Sequence, residues 1–195
     1  MKHIYLFRHG ETPLNAAHIL QGHIPHPELT QNGIMQARSI AEKLKNYPVQ
    51  ILYSSPLKRA RQTADIVNEI FNIPVFEDDR LKEIHLGDLD GSPVETVKYL
   101  YPHLIDSFFS DDEKIIDTFF PNGESYRQVS ERAKSFFSEC IANCPYRHIG
   151  IAAHGMLLKY ALYGLGFKLM SGAPDNASIA YITYDNGKWI FNGFL

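Results

Sequence analysis

The sequence has few cysteines and no long hydrophobic segment. Only Cys140 and Cys144 occur among 195 residues, and they are four apart on a predicted helix. We expect two buried thiols, because a disulfide framework needs more cysteines and a secreted context. No stretch approaches the roughly 18 apolar residues of a membrane-spanning helix, and the chain enters an apolar segment at residues 2–7 without a signal peptide. The sequence therefore predicts a cytoplasmic protein with no membrane partner.

An excess of positive charge is also absent. Lys and Arg total 19 against 22 Asp and Glu, a formal net charge of −3. Because nucleic-acid binding requires a basic surface, we expect no nucleic-acid partner. A mildly acidic protein can still contain one basic pocket, which would suit a small anionic substrate.

Predicted strands and helices alternate along the chain, without repeats or an obvious linker. The predicted strands lie at residues 2–7, 50–53, 74–76, 148–153, 179–184 and 188–191, the last two joined as a hairpin by Asn186-Gly187. The predicted helices lie at 31–46, 57–71, about 125–143 and from about 155, with a Thr30 cap and a Ser125/Gln128 capping box at two of the starts. Residues 8–29 are predicted as a loop, and 93–120 as short helices rich in aromatic residues.

This alternation predicts an α/β fold, a three-layer sandwich in which helices cover both faces of a mostly parallel sheet. We expect residues 1–195 to form one domain. Ligands of such sheets bind at the carboxyl ends of the strands, so the residues that directly follow the strands are the candidates for function.

Three strand ends carry basic residues. Arg8-His9-Gly10-Glu11-Thr12 follows the first strand, Ser54-Ser55-Pro56-Leu57-Lys58-Arg59-Ala60-Arg61 follows the second, and His154-Gly155 follows a late apolar strand. A single histidine or arginine at a strand end is usually structural, but here all three ends would converge on one crevice. Two imidazoles would then lie beside two or more guanidinium groups.

That combination suits phosphoryl transfer. Arginine matches phosphate oxygens with planar donors, and a neutral imidazole nitrogen can attack phosphorus to form a covalent intermediate. The leaving alkoxide also needs a proton, which one carboxylic acid can supply. Glu83 follows the strand around residue 75, although by itself it would be interpreted as a surface residue.

The motifs together resemble the histidine phosphatase superfamily, also called the phosphoglycerate mutase-like proteins. The resemblance spans nearly the whole chain. It is carried by Arg8-His9-Gly10-Glu11-Thr12 with Asn15 and Gln21-Gly22, by Ser54 to Ala64, by Glu83 with Gly87 and Gly91, by Gly123-Glu124-Ser125, and by His154-Gly155.

The resemblance implies a role for each matching residue. His9 would be the phosphorylated nucleophile, and Glu83 would act first as acid and then as base. The phosphoryl oxygens would be held by Arg8, Arg59 and His154, and the substrate would also contact Asn15, Gln21, Gly22 and Gly155. Arg61 is expected to form a structural ion pair instead. No cofactor and no metal ion are implied; the partner would be a small phosphorylated substrate.

The chain departs from the family pattern around the leaving group. Residues 21–30 are one residue longer than in many relatives and lack an aspartate, and Leu89-Asp90-Gly91 stands where many phosphatases have Trp-Glu-Gly. Residues 92–122 correspond to a helical lid in relatives. Their aromatic residues are either core or lid, and in both cases this segment is the best candidate for shaping specificity.

Three other functions compete with a phosphatase. A phosphoglycerate mutase would return the phosphoryl group to the substrate, but cofactor-dependent mutases are longer. A non-catalytic phospholigand-binding module would not need all five central residues. A metalloenzyme using His18, His23 and His26 would lack a carboxylate cluster and the spacing of a helix or strand. Sugar phosphates, phosphoglycerates, nucleotides, the nucleotide-loop phosphate of cobalamin synthesis and phosphoproteins all fit the phosphatase interpretation.

Overall fold

A six-stranded sheet forms the centre of the protein, in a computed structural model that describes residues 1–195. The strands are β1 (Lys2–Arg8), β2 (Ile51–Ser54), β3 (Val75–Glu77), β4 (His148–Ala153), β5 (Ile179–Asp185) and β6 (Lys188–Phe194). Their order is β3-β2-β4-β1-β5-β6. The first four are mutually parallel, whereas β5 and β6 are antiparallel and form the predicted hairpin.

Seven helices connect or flank the strands. They are α1 (Pro13–Ala16), α2 (Gln31–Leu44), α3 (Lys58–Asn68), α4 (Val94–Leu100), α5 (Pro102–Phe109), α6 (Tyr126–Asn143) and α7 (Gly155–Gly164). Short 3-10 turns lie at Asp79–Leu81, Gly87–Leu89 and Glu113–Asp117. None of the helices combines the length and apolar character needed to cross a lipid bilayer.

Side chains of the central strands alternate between two apolar layers. Ile4 and Leu6 of β1 pack into the layer that includes α6 and α7, whereas Tyr5 and Phe7 pack with residues of α2 and α3. The central parallel strands β1, β2 and β4 are mostly buried on both faces, as expected for parallel strands covered by helices. The predicted three-layer α/β fold is confirmed.

Several predicted boundaries differ from the structure. The second predicted helix ends at Asn68 rather than 71, because the Asn68 side chain bonds the backbone of Ile73 and Asn72 turns the chain at φ 49°. Residues 8–29 are not entirely loop, because Thr12 and Asn15 cap a short helix, α1, which has Pro13 in its first turn. Cys140 and Cys144 are buried free thiols, as predicted, although Cys144 caps α6 rather than lying within it.

Candidate active site

The parallel register brings two histidines to one edge of the sheet. Arg8 at the end of β1 is paired with Ala153 at the end of β4, so the residues that follow them, His9 and His154, are neighbours. Their ring centroids are 5.2 Å apart, and both side chains are almost fully buried. The sequence motifs after β1 and β4 therefore meet at one place.

The ring of His9 has a defined tautomer. Nδ1 lies 2.7 Å from the carbonyl oxygen of Gly10. Because a carbonyl only accepts, Nδ1 carries the hydrogen and Nε2 of the neutral ring has a free lone pair. Burial lowers the pKa of His9 well below its ordinary value of about 6.5, and the positive charges of Arg59 and Arg8 lower it further. The imidazole is thus neutral at physiological pH and has an Nε2 lone pair that is available for reaction.

Two arginines are fixed beside His9 by backbone carbonyls. Arg8 Nη1 donates to the carbonyl oxygen of Pro174 at 2.6 Å. Arg59 donates to those of Ile24 and Gly22 at 2.9 and 2.8 Å. Burial lowers the pKa of Arg59 to about 10, so its guanidinium stays charged at neutral pH. Both arginines are thus held in place by backbone carbonyls, and neither forms a hydrogen bond with a carboxylate.

Unpartnered nitrogen atoms cluster at these residues. Only four buried side-chain polar atoms in the protein lack a hydrogen-bond partner, and three of them are Arg8 Nε, Arg59 Nε and His154 Nδ1. His154 Nε2 lies 2.8 Å from Ser55 Oγ, and Nδ1 carries the hydrogen when that hydroxyl donates to Nε2. Since buried polar groups are rarely left unpaired, this group of unpartnered nitrogens makes the region the candidate site for an anion.

The Glu83 carboxylate is held at the start of α7. Oε1 accepts from the backbone N–H groups of Ile84 and Leu157 at 2.9 and 3.0 Å, and Oε2 accepts from that of Met156 at 3.2 Å. A helix N-terminus favours such an anion. The carboxylate is consequently fixed on the wall of the cavity that also exposes His9.

A cavity of about 360 Å³ opens over these groups. Arg8, His9, Arg59 and Glu83 line it, together with Asn15, Gln21, Gly22 and Gly155. Asn15 Oδ1 accepts from the backbone N–H of Thr12 and Gln21 Oε1 accepts from the Thr12 hydroxyl, which leaves both side-chain amide groups as donors. A Cβ at Gly155 would lie 3.0 Å from Cβ of Ala173 and 3.2 Å from Cζ of Arg8, so a side chain there would require Ala173 or Arg8 to shift. His154 does not form part of the wall and lies beside His9.

Comparison with known proteins decides the family. The model of the histidine phosphatase superfamily (branch 1) matches residues 4–194. The chain belongs to the histidine phosphatase superfamily.

Individual histidine phosphatases resemble the chain over nearly its full length. It is 31% identical to a Bacillus subtilis protein named uncharacterized phosphatase PhoE, with 97% of this chain and 92% of that protein aligned. It is 30% identical to a probable phosphoglycerate mutase, GpmB, of Proteus mirabilis, with 100% and 91% aligned. A mycobacterial glucosyl-3-phosphoglycerate phosphatase, solved with VO3, has 27% identity and a TM-score of 0.84, with 99% of this chain and 98% of that chain covered.

Some residues that position the site of this histidine phosphatase were not found from the sequence. Asn176 donates to the carbonyl oxygen of His9 at 2.9 Å and lines the cavity. Thr63 accepts from the backbone N–H of Gly10 at 3.1 Å and donates to the carbonyl oxygen of Arg59. Thr63 lies one helical turn after Arg59 on a predicted helix, and this spacing was the available signal. No comparable signal marked Asn176.

Arg132 of α6 fixes the backbone around the acid. Its guanidinium donates to the carbonyl oxygens of Arg80, Lys82 and Glu83 and pairs with the Glu124 carboxylate. His23 donates to the same Glu83 carbonyl at 2.7 Å. The Glu83 backbone is therefore held from two sides.

The remaining sequence candidates have structural surroundings. Arg61 pairs with Asp65 and Glu77, in agreement with the expected structural ion pair. The three histidines of the loop do not converge: His23 stacks on His85, His18 lines the cavity and His26 is exposed. No group of three His, Cys, Asp or Glu residues is arranged to hold a metal ion.

The buried histidines make folding stability depend on pH. Burial lowers the pKa of His9 and of His154 well below the ordinary value, so below about pH 6.5 the unfolded chain binds protons that the folded chain does not. Stability contributed by the neutral rings is complete above pH 6.5 and is lost as the pH falls. At pH 5.5 each of these two buried histidines should lower the free energy of unfolding by about 1.4 kcal/mol.

Urea unfolding of wild type, His9→Asn and His26→Asn at pH 7.5 and 5.5 measures this loss. His9→Asn should lose about 1.4 kcal/mol less than wild type between the two pH values. His26→Asn should behave as wild type, because its side chain is exposed in the folded protein. Equal losses in wild type and His9→Asn would show that His9 takes up a proton equally in both states.

Proposed function

We propose that this histidine phosphatase hydrolyses small phosphate monoesters through a phosphohistidine intermediate on His9. The observation that carries the proposal is the free Nε2 of His9, on a neutral ring close to two arginines whose Nε atoms have no partner in the protein. These guanidinium groups would bind the phosphoryl oxygens and offset the charge that develops in transfer. His154 does not line the cavity, and in this proposal it supports the ring of His9, whose centroid lies 5.2 Å from that of His154.

The first step forms the bond between phosphorus and His9 Nε2 and breaks the bond between phosphorus and the ester oxygen. The Glu83 carboxyl gives its proton to the leaving alkoxide, which departs as the alcohol. In the second step a water attacks phosphorus and passes its proton to Glu83. The phosphorus–nitrogen bond breaks, inorganic phosphate is released, and His9 returns to its starting form.

Mutase chemistry is the second candidate, because one relative is named a probable phosphoglycerate mutase. Chain length does not separate the two functions, since 91% of that relative aligns with this chain. Both reactions pass through phospho-His9 and differ in whether water reaches it. The cavity lining includes Phe109, which is 66% exposed, and the exposed His18, and access of water to these residues favours hydrolysis.

Product analysis tests the proposal. Incubation with 3-phosphoglycerate and a trace of 2,3-bisphosphoglycerate should yield little 2-phosphoglycerate, and a hydrolysed ester should release phosphate and alcohol in equal amounts. The same assays after extensive EDTA treatment should retain activity, because two arginines can balance the phosphate charge. Isomerisation faster than phosphate release would contradict hydrolysis, and a loss restored by a divalent ion would contradict the metal-free mechanism.

A further inference from the structure

The lining of the cavity is chemically mixed. His9, both arginines and Glu83 are among its polar residues. Nine apolar side chains, called the apolar wall below, also line it: Ile19, Leu20, Ile84, Leu86, Val94, Phe108, Phe109, Met156 and Ala173. A phosphate ester bound with phosphorus at His9 would place its alcohol against this apolar wall.

The lining of the cavity contains no lysine or arginine that could pair with a second anionic group. Arg8 and Arg59 are the only Lys or Arg side chains that line the cavity, and both lie beside His9. The lining contains one more imidazole, His18, whose residue is exposed. A carboxylate or second phosphate on the alcohol would therefore leave water for an apolar wall without a paired charge, which is costly.

The apolar wall is built from fixed backbone. Ile19 and Val94 lie on segments that pair with each other, since Ile19 forms a bridge with Pro93 and the N–H of Val94 donates to the carbonyl of His18 at 2.9 Å. The aromatic part lies at the end of α5, within the segment 92–122. Its preorganised shape favours a ligand that fills it rather than a flexible polar chain.

Lys159 of α7 fixes the end of α5. This lysine is fully buried, and its Nζ donates to the carbonyl oxygens of Phe108 and Ser110 at 3.0 and 2.9 Å. Ser171 Oγ donates to the carbonyl of Phe109 at 2.7 Å. The lysine thus holds Phe108 and Phe109 over the cavity and is not among the residues that line it.

We infer that the preferred substrates are monoesters of uncharged apolar alcohols, such as alkyl or aryl phosphates, rather than phosphoglycerates or bisphosphates. The inference rests on the proposed phosphatase function and names its substrate class. Burial of the alcohol against the nine apolar side chains supplies the selectivity, and the absence of a third cation excludes esters with a second anionic group.

Two sets of substrates test the inference. Along ethyl, butyl and hexyl phosphate, kcat/KM should rise by up to about fourfold for each buried CH₂, mainly through KM, while leaving-group chemistry stays nearly constant. Phenyl phosphate should exceed 4-carboxyphenyl phosphate by at least about tenfold, as expected for an unpaired buried charge. The carboxylated phenol is no worse a leaving group, so this difference reports the wall.

Variants of Phe109 test whether the apolar wall produces the substrate selectivity, and variants of Tyr99 and His18 are the controls. Phe109→Ala should flatten the alkyl series, whereas Tyr99→Ala, which removes an 87% exposed ring that does not line the cavity, should leave it unchanged. Phe109→Arg should narrow the preference for phenyl over 4-carboxyphenyl phosphate by supplying the missing cation. His18→Ala should not change that preference.

The possible results separate this inference from the proposed function. A flat alkyl series, or preference for the carboxylated ester or for a bisphosphate, would overturn the apolar-substrate inference while hydrolysis through His9 stands. If none of the esters is hydrolysed in a His9-dependent manner, the phosphatase proposal itself is wrong and the inference fails with it.

Discussion

His9→Ala should reduce turnover at least about a thousandfold while leaving the fold intact. Loss of a catalytic nucleophile has effects of this size or larger in other enzymes that form a covalent intermediate. The ring contributes Nε2 alone to the chemistry, because Nδ1 is already bonded to the carbonyl of Gly10. Steady-state hydrolysis of p-nitrophenyl phosphate, with circular dichroism to check folding, measures the effect.

Covalent labelling identifies the atom that reacts. Wild type mixed with substrate and analysed immediately after acid quench should carry phosphate on His9, allowing for the acid lability of the phosphorus–nitrogen bond. His18→Ala is the matched control, because it removes an imidazole from the same cavity without touching the anion site. Retention of a tenth of wild-type turnover by His9→Ala would exclude a phospho-His9 mechanism.

The location of the site was predictable because strand ends determine it. Two apolar strands each end in His-Gly, and the parallel register that pairs Arg8 with Ala153 places both histidines at one edge. Periodicity was sufficient for the sheet and its covering helices. The residues of α1 carried the cap signals Thr12, Pro13 and Asn15, but a helix of four residues is too short to produce a periodic pattern.

The supporting contacts were not predictable, because they join distant parts of the chain through backbone atoms. Arg132 reaches the carbonyl of Glu83 from 49 residues away, and it lies on a helix where a charged residue is usually solvent-exposed. Lys159 bonds carbonyls of α5 in the same manner. Every residue has a backbone carbonyl, so the sequence does not indicate which carbonyls the side chains of Arg132 and Lys159 will bond.

The Glu83 carboxylate has structural contacts in addition to its proposed role as the acid. It accepts three backbone N–H groups, two of them at the start of α7, and this arrangement stabilises the helix end. It also lines the cavity beside His9, where a proton must reach the leaving oxygen. A simple loss of activity in a variant would not distinguish the two roles, because a displaced α7 would also move Gly155 against Arg8.

Leaving-group dependence distinguishes them. Glu83→Gln should slow hydrolysis of alkyl phosphates by about 10²- to 10⁴-fold, the range for general acid–base catalysis, because an alkoxide departs poorly without a proton. For p-nitrophenyl phosphate the loss should be much smaller where departure limits the rate, since that leaving group barely needs protonation. The ratio of the two losses is the measured quantity.

Glu124→Gln is the matched control for the positioning role. Glu124 pairs with Arg132 and accepts from the backbone N–H of His85, but it does not line the cavity. Its replacement should slow alkyl and p-nitrophenyl phosphates by the same factor, because a shifted Glu83 loop affects both substrates. If Glu83→Gln shows the same uniform loss, Glu83 positions α7 and another group protonates the alcohol; a negligible loss on both substrates would remove Glu83 from the mechanism.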